Sequence, residues 1–322
     1  MKVSVVIPTH NRAALLYECV QSVLAQSYQD REIIVIDDGS TDRTRELLVP
    51  LVQDNKIQYI YQENKGPGAA SQKGLGLATG ELISFLDGDD LWAPDMLDWQ
   101  VRYLDEHPDV AAVGGGYECI DESGFKIRPA SVRDAEISFA DAFAGAPFLT
   151  IGQTLIRRQL ILDAGGFDQT VWAAQDFDLW LKLARHGHRI ISVPRMALYY
   201  RKHAANTSGN VLLMYENCEM VIHKHLPFLP PRTRARVKRQ AFRWLYEYRG
   251  QCIIMRCKAS IRKGHASDLP RVAAMVMRLM AVAIGDWPLL RRLCLDVFIP
   301  VRFHLGNPDV NLFGAPNDPA NG

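Results

Sequence analysis

Four short apolar runs, rich in β-branched residues, recur along the first 90 residues, and each gives way at once to a polar cluster. Residues 3–7 run into Pro8-Thr9-His10-Asn11-Arg12, and residues 33–36 into Asp37-Asp38-Gly39-Ser40-Thr41-Asp42. Residues 57–61 are followed by Glu63-Asn64-Lys65-Gly66-Pro67-Gly68, and residues 82–86 run into Asp87-Gly88-Asp89-Asp90. Helical patterns at 13–26, 43–52, 69–78 and 95–106 separate and follow them. This alternation predicts βαβ units and an α/β fold with a mostly parallel sheet buried on both faces. Ligands of such sheets bind beyond the C-terminal strand ends. Taken singly, each cluster has a structural explanation, because Asp, Ser and Thr cap helices and Gly makes turns. Four together on one sheet edge point to a ligand site.

Residues 110–113 are expected to form a fifth strand, after which Gly114-Gly115-Gly116 lets the backbone turn or approach another chain closely. Residues 117–150 read as a hairpin around Asp121-Glu122-Ser123-Gly124 followed by irregular chain. Helices are expected at 160–164 and 176–186 and a late strand at 189–193, and from 211 onward the pattern is helical. No repeat stands out, and the tail after Leu305 is expected to be mobile. With 322 residues, 48% hydrophobic and 23% charged, the chain is neither disordered nor fibrous. Six dispersed cysteines (19, 119, 218, 252, 257 and 294) form no C-x-x-C pair and are expected to be free, buried thiols. The opening apolar run, cut by Pro8, suits a strand better than a signal peptide, so a cytoplasmic protein is expected.

A net charge of +1 hides an asymmetry. Residues 1–205 carry 20 Lys and Arg against 28 Asp and Glu, a balance of −8, whereas residues 206–322 carry 17 against 8, a balance of +9. The basic part is expected to meet an anionic membrane surface rather than nucleic acid, unless it is simply a solvated helical face. The segment Arg232-Thr233-Arg234-Ala235-Arg236-Val237-Lys238-Arg239 opens a helix whose Val237, Ala241, Trp244, Leu245 and Tyr248 fall on one stripe. That stripe suits either an interfacial helix or packing on the N-terminal α/β part or a second subunit, as in a homo-oligomer. The apolar run at 272–284 is interrupted by Arg278 and ends at Gly285-Asp286-Trp287-Pro288, short of the roughly 20 residues a membrane span needs.

Asp87-Gly88-Asp89 carries the sharpest chemistry. Two carboxylates straight after a buried strand repel each other unless a cation joins them, and they offer hard oxygen ligands to a divalent metal. A metal would also let this acidic part of the chain bind a phosphate-bearing ligand. The first strand's end lacks G-x-G-x-x-G, which excludes a dinucleotide-dependent oxidoreductase. It also lacks the Gly-rich, basic phosphate loop of a nucleotidyltransferase. A non-catalytic nucleotide-sugar or carbohydrate-binding module is the other alternative. Trp92, Tyr117 and Trp172 are candidates to stack on sugar rings, or ordinary core, while His186, His188, His223 and His225 follow no metal-ligand spacing.

In this order and spacing, Pro8–Arg12, Asp37-Asp38-Gly39-Ser40, Asn64-x-Gly66 and Asp87-Gly88-Asp89-Asp90 resemble family 2 glycosyltransferases of the GT-A fold. The resemblance extends to Gln175-Asp176 and Tyr200-Arg201-x-His203, and so covers residues 1–205. It implies inverting, Mn²⁺- or Mg²⁺-dependent transfer of a sugar from a nucleoside diphosphate donor, most often UDP-linked. The acceptor would be a hydroxyl of a glycan or lipid-linked glycan, as in polysaccharide biosynthesis, at the inner face of the cell membrane. Residues 1–116 would bind the donor, 117–205 would form the acceptor side, and 206–322 a basic helical extension. Carried over residue by residue, Pro8, Thr9, His10, Arg12, Asp37, Asp38, Gly66, Asp87 and Gly88 would bind the nucleotide, with Asp38 on the base. Asp89, Asp87 and His203 would hold the metal, and Asp176 would be the general base. Two positions depart from the pattern: His10 stands where an aromatic is usual, and Ser71 and Gln72 stand where Arg and Asn are usual.

The chemistry asks for the same groups. Sugar transfer passes through an oxocarbenium-like state with leaving group and nucleophile on opposite faces. A metal at Asp89 would stabilise the leaving diphosphate, so no catalytic acid is required. The acceptor hydroxyl does need a base. Asp176 starts a helix with Leu179, Trp180 and Leu183 on its apolar side, and Asp178 is its nearby competitor; a helix-capping Asp176 is the bland reading.

Overall fold

The computed structural model describes residues 1–131, 134–145, 150–254, 269–283, 289–291 and 293. They form two compact units, one of Met1–Ala142 with Ala146–Gly209, the other of Phe143–Gly145 with Asn210–Gly322.

The first unit opens with β1 (Val3–Thr9), α1 (Ala13–Leu24), β2 (Arg31–Asp38), α2 (Thr44–Gln53), β3 (Gln58–Gln62), α3 (Pro67–Leu77) and β4 (Leu82–Phe85). It continues through β5 (Leu91–Trp92), α4 (Met96–Glu106), β6 (Val110–Ile120), β7 (Lys126–Ser131), β8 (Ala135–Glu136) and α5 (Phe139–Ala142). β9 (Thr154–Arg157), α6 (Arg158–Asp163), α7 (Gln175–Arg185) and β10 (Arg189–Arg201) complete it. The sheet order is β3-β2-β1-β4-β9-β6-β10-β5, with β7 added to β6 and β8 to β10. β3, β2, β1 and β4 are mutually parallel, with Val3 level with both Arg31 and Leu82. β9 is antiparallel to both of its neighbours, β6 and β10 are parallel, and β5 is antiparallel to β10.

Strand periodicity explains why both faces are buried. Val5 and Ile7 of β1 pack with Leu16, Cys19, Leu48 and Met96 of α1, α2 and α4. Val6 points the other way, into a cluster with Ala70 and Leu75 of α3 and Leu179, Trp180 and Leu183 of α7. The predicted helix–strand alternation to residue 113 is observed, with bounds shifted by a few residues. Gly114-Gly115-Gly116 does not turn; it lies inside β6 and serves the close approach. A Cβ on Gly115 would stand 2.3 Å from the Arg195 carbonyl oxygen and 3.0 Å from the Trp99 ring. β10 outruns its predicted 189–193 and reaches Arg201 through register shifts around Met196. The short β5, β8 and β9 had no apolar alternation to announce them.

In the second unit, α8 (Val211–His225) and α9 (Pro231–Leu245) are followed by a π-helical turn at Tyr246–Gly250 and by α10 (Leu269–Ala283). Arg278 pairs with Glu219 at 2.8 Å and Arg271 with Glu216 at 2.5 Å, tying α10 to α8. Val237, Ala241, Phe242 and Leu245 of α9 are buried, so its apolar side is an internal packing surface of this unit. Among the described residues no helix is long and apolar enough to cross a membrane. Cys19, Cys119, Cys218 and Cys252 are free thiols, the first three buried. Cys257, Cys294, the end of the 272–284 run and the tail after Leu305 lie outside the described residues.

Candidate active site

Parallel pairing brings the ends of β1, β2 and β4 to one edge, and the loops there are cross-tied. Asn11, with φ of 53°, donates its backbone N–H to Ser40 Oγ at 2.8 Å and accepts at Oδ1 from the Thr41 N–H at 2.7 Å. Pro8 and Thr9 stand level with Ile36 and Asp37. Asp37 accepts from the Ser40 N–H at 2.8 Å and from the Tyr59 hydroxyl. Asp38 is buried and its oxygens meet three donors: Gln62 Nε2 at 2.7 Å, the Lys65 N–H at 2.9 Å and the Gly66 N–H at 2.8 Å. Asp38 thereby pins the 64–66 loop. Gly66 is required there twice over, by its φ of +88° and by the Trp172 ring, which would lie 2.2 Å from an added Cβ. Exposed His10 donates through Nδ1 to the Asp38 carbonyl at 2.9 Å, with Asn64 beside the ring.

The loop after β4 sits against β1, where a Cβ on Gly88 would come within 3.0 Å of Thr9 Oγ1. Asp89 is buried, and its Oδ2 meets the Arg12 guanidinium, His203 Nε2 at 2.8 Å and Asn206 Nδ2 at 3.4 Å. Burial raises the Asp87 carboxyl above the usual range; the Asp89 charge adds to this, Arg12 opposes it and Asp176 adds again. Asp176 stands at the N-terminus of α7, just after Ala174, whose left-handed φ of 67° costs about 1–3 kcal/mol for a residue with a Cβ. Its carboxyl is pushed up to about 6 by burial, against the lowering bond from the Phe177 N–H at 2.7 Å. Asp87 thus feels the negative charge of both Asp89 and Asp176.

A divalent cation fits the chemistry of this donor set, which holds two adjacent carboxylates with an excess of negative charge. Among the described residues, however, no three His, Cys, Asp or Glu side chains form a ready-made metal cage. Asp89 Oδ2 is already engaged by Arg12 and His203.

Other sequence candidates lie elsewhere. Asp178 is buried and paired with Lys182 at 3.0 Å, and Lys182 also donates to the Gly166 carbonyl at 2.8 Å. Trp92 is core, its indole N–H donating to the Gly152 carbonyl at 2.7 Å, and Tyr117 is partly buried against the same core. Trp172, by contrast, lies against Gly66 at the site and is 47% exposed. Gln72 accepts from the Phe167 N–H at 2.8 Å, tying α3 to the chain before α7, and Ser71 is buried. Sequence reasoning assigned no role to Asn206 or Arg201. The only signal for either was Arg201's place beside His203 in Tyr200-Arg201-x-His203.

The mixed sheet with helices on both faces and an acidic edge at the parallel strand ends is that of a GT-A fold. The sequence profile of glycosyl transferase family 2 matches residues 4–164, half of the chain, and the chain belongs to that family, whose members are sugar-transferring enzymes. An uncharacterized glycosyltransferase of Rickettsia conorii is 36% identical over 191 residues, which are 57% of this chain and 31% of that relative. The match therefore spans about a third of the Rickettsia protein's length. Among solved structures, S. aureus TarS 1–349 in complex with UDP-GlcNAc has a TM-score of 0.70 at 19% identity, covering 92% of this chain and 88% of that one. The Pyrobaculum calidifontis mannosyltransferase in complex with GDP-Man and Mn²⁺ has a TM-score of 0.59 at 20% identity, covering 92% and 85%. At these identities the two structures speak for the fold.

Proposed function

We propose that this chain is an inverting glycosyltransferase that moves a sugar from a nucleoside diphosphate donor to a hydroxyl acceptor, with Asp176 as general base. The observation that carries this reading is that the charge of Asp176, on α7, bears on Asp87 in the loop after β4, while the Asp176 carboxyl is itself raised to about 6. Such a group is ionised at neutral pH and still basic enough to take a proton from a sugar hydroxyl. Asp178 is set aside as the base because its charge is committed to Lys182. A nucleotide-sugar donor draws support from the UDP-GlcNAc and GDP-Man complexes of the two fold neighbours, and a divalent cation from the Mn²⁺ of the second.

Thr9, His10, Arg12 and Asp37 would line the nucleotide pocket, while Asp38 acts by holding the 64–66 loop as its wall. Asp89, with Asp87 and with His203 as a third candidate, would hold Mn²⁺ or Mg²⁺. When bound, the ion supplies the positive charge that stabilises the leaving diphosphate. Arg12 brings a further positive charge to the same edge. The test is nucleotide release from a panel of UDP- and GDP-sugars with Mn²⁺, Mg²⁺ or chelator. Metal-dependent release with a matching acceptor supports the reading; tight donor binding with no release under any condition leaves a non-catalytic binding module instead.

The acceptor we propose is a glycan or lipid-linked glycan, reached at an anionic membrane surface. With the apolar side of α9 buried, a contact made through α9 has to be electrostatic. Arg232, Arg236 and Arg243 are exposed and Arg239 is half-buried. Their spacing of four, three and four residues puts them on one face of α9. Each basic group near an anionic surface contributes about 1 kcal/mol. Co-sedimentation with anionic but not neutral vesicles, lost at high salt, is expected; no binding at low salt removes the membrane from the proposal.

A further inference from the structure

We propose that Arg201 is a positioning residue that fixes the acidic loop Asp87–Asp90, a role that rests on the transferase reading above. Its guanidinium is 1% exposed, yet it is not an inert buried charge. Nε donates to the Asp89 carbonyl at 3.0 Å, Nη1 to the Glu122 carbonyl at 2.6 Å and Nη2 to Glu18 Oε2 at 2.6 Å. Its backbone N–H donates to Asp90 Oδ1 at 2.8 Å. One side chain thus clamps three segments: the loop after β4, the β6–β7 hairpin and α1.

The strand end that carries Arg201 grips Asp89 at both of its ends. Arg201 holds the backbone carbonyl, and His203, two residues on, holds the carboxylate at 2.8 Å. Asn206 closes the arrangement, donating to the Arg201 carbonyl at 3.2 Å. A peptide carbonyl fixed on one side and a carboxylate fixed on the other leave the Asp89 side chain one orientation. Burying a guanidinium is costly unless its donors are met, and its rigid fork meets three acceptors that the single ammonium of Lys cannot span. The long β10, which continues past the predicted strand to Arg201, is what delivers this fork to the site.

Arg201 touches neither donor nor acceptor in this scheme, so its removal should act on the loop. In Arg201→Met, kcat is expected to fall up to about 10²-fold, the effect of misplacing a catalytic group by an ångström. Acceptor KM should stay unchanged. Hydrogen exchange of the peptide spanning residues 86–92 should accelerate, and Arg201→Lys should restore little of either property. Glu18→Gln, at a side chain 55% exposed, keeps an acceptor oxygen and removes only the charge facing Arg201, and should change both readouts in the same direction by a smaller amount; added to Arg201→Met it should change nothing further. Wild-type exchange at 86–92 in both Arg201→Met and Glu18→Gln, or unchanged kcat with accelerated exchange, overturns the proposal. Failure of the wild type to turn over any nucleotide sugar would count against the transferase reading alone, because the exchange measurement still decides whether Arg201 holds the loop.

Discussion

Asp176→Asn is expected to cut sugar transfer by about 10²–10⁴-fold while leaving donor affinity nearly unchanged, because a general base acts on the acceptor proton and not on the nucleotide. The wild-type pH profile gives an independent check. For a general base the carboxylate is the working form, so with Asp176 in that role kcat/KM should rise tenfold per pH unit below about 6 and level off above it, and the variant's residual activity should lack that limb. Stability should move the opposite way. A carboxyl raised from its ordinary value to about 6 keeps its proton in the folded state through a window where the unfolded chain has lost it, so stability falls as pH rises from about 4 to about 6. Asp176→Asn, which cannot ionise, should melt higher than wild type at pH 7 and match it near pH 4. Equal melting at both values, with wild-type turnover, would reduce Asp176 to a helix-end residue.

The part of the fold legible in sequence was the part whose strands are apolar on both faces. β1, β2 and β4 announce themselves because burial on two sides demands continuous Val, Ile, Leu and Phe. Their polar ends could be ordered into one edge because parallel pairing puts every C-terminus on the same side. β9 and β5 were not legible. They are short segments whose strand state comes from pairing with β4, β6 and β10 rather than from local pattern. The same limit hid the end of β10, where bulges around Met196 break the alternation.

The site shows a matching division. Asp87 and Asp89 stand out as two carboxylates straight after a buried strand, and Asp176 stands out through the family resemblance and the need for a base on the acceptor. What each neighbour does could not be read, since it depends on tertiary geometry. Asp38 proves to be held by the Lys65 and Gly66 backbone donors of the loop after β3 and by the Gln62 side chain, and Gln72 braces Phe167. Asp178, two residues from Asp176, is withdrawn into an ion pair with Lys182 on the same helix. A spacing of four residues with Asp first made that pair readable as a helical salt bridge, and it would have separated the two candidate bases from sequence alone.

Asp89→Asn should abolish metal-dependent nucleotide release to within about a thousandth of wild type, since loss of charge stabilisation worth several kcal/mol at the leaving group translates into that factor. Asn keeps the volume and one carbonyl oxygen for Arg12 and His203, so the loop should stay in place. The effect on stability is set by two opposing terms. The Asp89 charge attracts Arg12 and accepts from His203, but it also raises the neighbouring Asp87 and Asp90 carboxyls, and Asp176 bears on Asp87 as well. Removing one charge from so crowded a set relieves repulsion as it weakens the pair, so melting should shift far less than activity. Asp98→Asn, at a carboxylate paired with the exposed Arg102 on α4, is the control for a generic loss of negative charge. Equilibrium Mn²⁺ binding measured with the nucleotide present, but without acceptor, separates a lost ligand from a displaced loop. Wild-type Mn²⁺ affinity and turnover in Asp89→Asn would remove Asp89 from the metal site and shift that role to Asp87.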